Sequence, residues 1–228
     1  MALPSHVMSV TQSPTGTGAT GTGSSIPAGD TALRILAATA TCVAAQGLRA
    51  TSIDDIAGAA GCARATVYRL FPGGRAGLMA AAAELQITSV LDAAGTAADA
   101  ADDLAAAVTD AVHAASTTLA GHAALQRLLA EEPGAVLPFI SFDNLGPLLD
   151  RAGAWGRRHL GRFLDDDRAE IVGEWATRVV LAHLRSPGSP TDTTDRAAVR
   201  RLVEQFLLPG LALDGVTDPS RPFPAPSR

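Results

Sequence analysis

Arg64, Thr66, Tyr68 and Arg69 fall in one short run, with Ala65 among them. Two guanidinium groups and two hydroxyls on one side of a helix suit a polyanion that also presents base edges. Arginine can bond guanine edges or phosphates, Thr and Tyr hydroxyls can donate to phosphate oxygens, and the Ala65 methyl can touch a thymine methyl. Val67, Leu70 and Phe71 recur at i, i+3 and i+4, so the same run has an apolar side. The spacing predicts a short helix from Arg64 to Phe71, closed by Pro72 and Gly73-Gly74. The chain holds 18 basic residues, all Arg, which excludes a phosphate-loop Lys, a Schiff-base Lys and a Ser-Lys pair.

These side chains need a support that aims them. Upstream, Ile53, Ile56, Ala57 and Ala60 form a second apolar period, preceded by Ser52 with Asp55 three residues on. A hydroxyl and an acid at that spacing form a capping box, which predicts a helix start at Ser52. Gly61 can take the left-handed conformation that ends such a helix. The pattern is a helix-turn-helix whose second member suits a major groove. The plain alternative is a helical hairpin in any all-α protein.

The stretch from Thr31 to about Met79 resembles the N-terminal domain of the TetR family of bacterial repressors. The matching features are an amphipathic helix from Ala32 to Gly47, then Ala50-Thr51-Ser52-Ile53, Asp55-Ile56-Ala57, Ala59-Ala60-Gly61 and Ala65-Thr66-Val67-Tyr68-Arg69 before Phe71. Two departures stand out. Ala63 occupies a position where the family usually has a capping Ser, a loss of about 1 kcal/mol. The turn Pro72-Gly73-Gly74-Arg75 is about one residue longer than usual. By position, Arg75 matches a basic residue that commonly touches phosphate. The DNA-binding set expected from residues and resemblance together is Thr51, Ser52, Arg64, Ala65, Thr66, Tyr68, Arg69 and Arg75.

Charge is arranged to match. The chain carries −5 overall, yet residues 30–78 carry five arginines against three acids. A mildly basic head on an acidic body suits sequence-specific binding rather than adhesion to bulk DNA. Cys42 and Cys62 show no ligand spacing and read as buried thiols in a reducing cytoplasm. The five histidines show no metal-binding spacing, so neither metal nor cofactor is expected. No apolar run is long enough to span a membrane.

The expected architecture is all-α. Residues 1–29, neutral and rich in Ser, Thr and Gly, form a disordered arm. Residues 30–75 are the helix-turn-helix domain, residues 76–213 a helical effector-binding and dimerisation domain, and residues 214–228 a disordered, proline-rich tail. Helices are predicted at about Ala76–Ala94, Asp99–Leu119, Ala123–Glu131, Asn144–Leu164, Arg168–Leu184 and Asp195–Leu213, with a break around Pro133 and Pro138. The last two carry broad apolar stripes that include Val172, Val179, Val199, Leu202, Val203 and Phe206. The resemblance implies that these helices pair with their copies in a homodimer, although they could also face the monomer core.

The resemblance also implies an effector pocket among the middle helices. Candidate lining groups are His113, Phe139, Phe142, Trp155, His159, Trp175 and Arg178. The apolar body and the lack of Lys favour a fatty-acid-like effector over a cationic one. The reading is a ligand-responsive repressor that binds a palindromic double-stranded DNA operator. Two alternatives remain at this point: an architectural DNA-binding protein with no effector, and a helical enzyme with a DNA-binding head. No catalytic motif supports the enzyme.

Overall fold

Acidic and hydroxyl side chains cap the starts of four helices. In the computed structural model, which describes residues 29–136, 142–184 and 191–213, the side chains of Ser52, Asp103, Asp165 and Asp195 each accept a backbone N–H at a helix start. Each satisfies a donor that the first turn leaves without a partner. The head comprises α1 (Asp30–Gln46), α2 (Ile53–Ala59) and α3 (Arg64–Leu70). Then follow α4 (Gly74–Asp99), α5 (Leu104–Gly121), α6 (Ala123–Glu131) and a 3-10 turn at Pro133–Ala135. The remainder is α7 (Phe142–Leu160), α8 (Asp166–His183) and α9 (Arg196–Leu202), with a π-helical turn at Val203–Leu207 leading into α10 (Leu208–Leu213). The described residues contain no strand.

The apolar residues sort into two cores. One gathers Ile35, Leu36, Ile56, Val67 and Phe71 from the head with Leu78 and Ala81 of α4. The other gathers Ala94 and Ala98 of α4 with Val108, Val112, Leu160, Val172, Val199 and Val203. At 26 residues α4 is long enough, at about 39 Å, to run through both. It therefore couples the two mechanically.

Small residues set the tightest packing. A Cβ on Gly156 of α7 would lie 2.0 Å from the Ala169 carbonyl oxygen, and one on Gly173 of α8 would lie 2.2 Å from that of Ala152. Gly156 and Gly173 thus let α7 and α8 touch backbone to backbone. Arg162 donates to the carbonyls of Ala98, Asp99 and Ala101, closing the end of α4. Arg196, at the start of α9, binds Asp110 of α5 through two nitrogens, at 2.5 and 3.1 Å.

The last helices depart from the predicted stripe. Val172, Val199 and Val203 are fully buried within one chain, so they cannot form a surface for a partner. The π-turn inserts an extra residue into the helical repeat. It keeps Val203 and Leu207 inside and leaves Phe206 67% exposed. Phe139 and the expected disordered arm and tail lie outside the described residues, apart from Gly29, which precedes α1.

Candidate nucleic-acid interface and effector cavity

The recognition helix α3 is held from both ends. Ser52 Oγ accepts the Asp55 N–H at 3.1 Å, while Asp55 accepts the Ser52 N–H at 2.9 Å and its hydroxyl at 2.6 Å. These bonds, the Ser52 hydroxyl first, hold the Asp55 carboxyl below its ordinary range. Gly61 takes φ 63° in the turn, as its type permits. The Cys62 N–H reaches back to the Ala57 carbonyl at 3.0 Å. Ala63 stands at the start of α3 and supplies no side-chain cap. Val67 and Phe71 anchor the inner side, and Arg64, Ala65, Tyr68 and Arg69 are exposed.

The outer side chains differ in readiness. Arg64 is folded back: it binds Asp54 at 2.7 Å, donates to the Tyr68 hydroxyl at 3.3 Å and lies over the Tyr68 ring. The Tyr68 hydroxyl first, then Asp54, raise the Arg64 pKa above its ordinary value. Arg69 makes no bond among the described residues, and neither does the half-buried Thr66 hydroxyl. Thr51 is buried and its hydroxyl donates to the Gly47 carbonyl at 2.7 Å, which makes it a support of the turn. Arg75 lies in the first turn of α4 and donates to the Leu48 carbonyl. Gly74, immediately before it, takes φ 58°.

Behind this face lie two adjoining apolar cavities. The smaller, about 130 Å³, sits among α4, α5, α7 and α8, with Val90, Val112, Trp155 and Val180 in its wall. The larger, about 280 Å³, is walled by Leu36, Ala40 and Val43 of α1, Met79 and Leu85 of α4, and Leu125 and Leu128 of α6. Gln86, Ile87, Leu119, Leu148 and Leu181 belong to both walls. Among the described residues, no Asp, Glu or Arg lines either cavity. His122, in the larger wall, accepts the Leu125 N–H through Nδ1 at 3.1 Å. Burial pushes its pKa below the ordinary 6.5.

Head and body also meet outside the cavity. Arg127 of α6 donates to the carbonyls of Ala44 and Ala45 at the end of α1, at 3.2 and 2.7 Å. The Glu132 carboxylate accepts the Arg49 N–H at 3.3 and 3.2 Å.

Residues 35–82 match the model of bacterial regulatory proteins of the tetR family. That stretch is a TetR-type DNA-binding domain. Solved structures share its fold. A TetR-family repressor from a Dietzia strain, AlkX, implicated in n-alkane biodegradation, is 19% identical with a TM-score of 0.59, over 75% of this chain and 91% of that one. A putative transcriptional regulator from Streptomyces coelicolor is 18% identical with a TM-score of 0.54, over 77% and 98%. The fatty acid degradation regulator FadR from Bacillus halodurans is 18% identical with a TM-score of 0.51, over 79% and 98%. No curated protein matches the chain.

The residues expected at the effector site scatter. Among those whose side chains are described, only Trp155 lines a cavity, its indole N–H donating to the Leu91 carbonyl at 3.1 Å. His159 pairs with Asp99 at 2.8 Å and covers Gly95. Arg178 is exposed and binds Glu174. Trp175 packs on the body core, and His113 has a buried Nδ1 with no partner among the described residues. Neither Trp175 nor His113 lines a cavity wall. Phe142 begins α7, but its side chain is outside the described set. Sequence reasoning passed over Gln86 and the α1 residues. The signal for Gln86 was available: an uncharged amide inside a long, mostly apolar helix.

No helix among the described residues is long and apolar enough to cross a membrane, and no group of three or more potential ligands could hold a metal ion there.

Proposed function

We propose that this regulator is a ligand-responsive repressor that binds a palindromic operator as a homodimer and releases it when an apolar effector enters the cavities. The observation that supports this most is that α1 and α4 serve both the DNA head and the larger cavity wall. Residues 30–75 act as the DNA-binding domain and residues 76–213 as the effector and dimer domain. Arg69 is the foremost base reader, with Ser52, Thr66 and Tyr68 as phosphate contacts. Arg64 joins once it leaves Asp54. Dimerisation uses the exposed Ile171 and Phe206, with the half-buried Val179 and Leu202 beside them.

An effector that moves α4 changes the distance between two recognition helices. These must match groove positions about 34 Å apart, or another whole-turn spacing. A hundredfold preference of the effector for the DNA-free state supplies about 2.7 kcal/mol of coupling, equal in both directions. Footprinting of the purified protein on the DNA flanking its own gene tests the first half. A protected inverted repeat is expected. Titration of that complex with ligands that raise the melting temperature tests the second. A ligand that binds tightly and leaves DNA affinity unchanged defeats the coupling.

A further inference from the structure

The two cavities hold few groups able to greet a polar ligand atom. Apolar side chains dominate both walls, and no ionised side chain among the described residues lies in either. The nearby arginines among the described residues hold other partners. Arg127 binds the Ala44 and Ala45 carbonyls and Glu131 through its two terminal nitrogens, and only its buried Nε lacks a partner. Arg151 binds both Glu84 oxygens, at 2.8 and 2.9 Å. Three wall residues have polar groups without a partner among the described residues: the Gln86 amide, common to both cavities, the Thr177 hydroxyl in the smaller one and His122 Nε2 in the larger. Several helical threonines satisfy their own hydroxyls. Thr39, Thr41, Thr96, Thr109 and Thr117 each donate to the carbonyl four residues back, whereas Thr177 does not.

A buried carboxylate with no cation opposite it gives up its charge or stays in water. A neutral hydroxyl or ester meets no such barrier, because an amide can donate to it and accept from it. We infer that the effector is a neutral aliphatic molecule whose single hydrogen-bonding group sits at Gln86 with its chain in the larger cavity against α1, and that the site rejects the free carboxylate of the same chain length. This rests on the ligand-responsive reading above and narrows its apolar effector to an uncharged one. Size permits the chain: about 280 Å³ exceeds the roughly 150 Å³ of an engineered apolar cavity that takes benzene.

Three probes of one chain length test it on the full-length protein: decan-1-ol, methyl decanoate and sodium decanoate. Binding is measured by calorimetry at pH 7.5, and operator affinity by fluorescence anisotropy. The alcohol and ester are expected to bind at least tenfold more tightly than decanoate and to release operator. Gln86→Leu should weaken the alcohol severalfold and leave the folded protein's helicity unchanged. Gln86→Arg should reverse the order in favour of decanoate. If that variant does not fold, the wild-type ranking alone decides. Decanoate binding as tightly as the alcohol overturns the neutral-ligand inference and leaves the repressor reading intact. Binding of all three without operator release defeats the coupling but not the selectivity. Binding of none overturns both the inference and the use of these cavities as an effector site.

Discussion

The head and the body of this protein solve opposite problems. The head must keep charge and hydroxyls outside on a short helix, so local devices dominate: the Ser52–Asp55 box, Gly61 in the left-handed region, and Val67 and Phe71 as anchors. The body must enclose space, so its key contacts come from residues far apart in sequence. Gly156 meets Ala169 and Gly173, Arg162 closes α4, and Arg196 binds Asp110. Local devices can be read along a chain. Enclosed space cannot, because it is defined by what fails to fill it.

The contrast can be broken most severely in the body. Gly173→Val pushes a side chain into the backbone of α7, where no flexible atom can yield. It should cost about 3 kcal/mol and lower the denaturant midpoint, whereas Gly58→Ala on α2, which has open space, should be near neutral. Equal midpoints for the two variants would show that the α7–α8 contact is not rigid.

Phe206→Asp comes next. The side chain is exposed in one chain, so the fold should survive. An unpaired carboxylate buried between two copies should cost the dimer several kcal/mol. Sedimentation should give monomer, and operator binding should fall with it. A folded variant that stays dimeric places the interface elsewhere.

In the head, Arg69→Ala should cost about 1–3 kcal/mol of operator binding and relax preference at particular base pairs. Asp54→Asn should act in the opposite sense. It frees Arg64 from an exposed ion pair worth at most about 1 kcal/mol. Operator affinity should therefore rise up to roughly fivefold. Unchanged affinity would mean that Arg64 does not reach DNA.

The smallest effect sharpens the boundary between the two regions. His122 is half-buried, and that burial holds its pKa below the ordinary 6.5. The unfolded chain then binds more protons than the folded one as pH falls below that value. Stability should be full above pH 6.5 and decline as pH drops from there toward the folded-state value. Thermal melts from pH 8 to 5 should show this slope reduced in His122→Asn, which can still cap α6. An identical slope would assign the acid sensitivity to other groups.

Much of the head was legible because its determinants lie within a few residues of one another. Ser52 with Asp55, Gly61, and Val67 opposite Arg69 are patterns of period and cap, and each kept its expected role. The partner of Arg64 was not legible in that way: Asp54, ten residues earlier, binds it. In the body the helices were legible and their faces only partly so. The stripe over Val199, Leu202, Val203 and Phe206 assumed an unbroken 3.6-residue period, and the π-turn shifts the phase within it.

By itself the sequence determined the all-α class, the caps, the recognition helix and the absence of any lysine, since these depend on residue type and near-neighbour spacing. Only the tertiary structure decided where empty space lies and what faces it. Gln86 is one glutamine on a long helix until α1, α5, α6, α7 and α8 close around it. Leu36 and Val43 are core residues of a small domain until the body is docked against them. A cavity is the residue of packing between distant segments, and no local period encodes it.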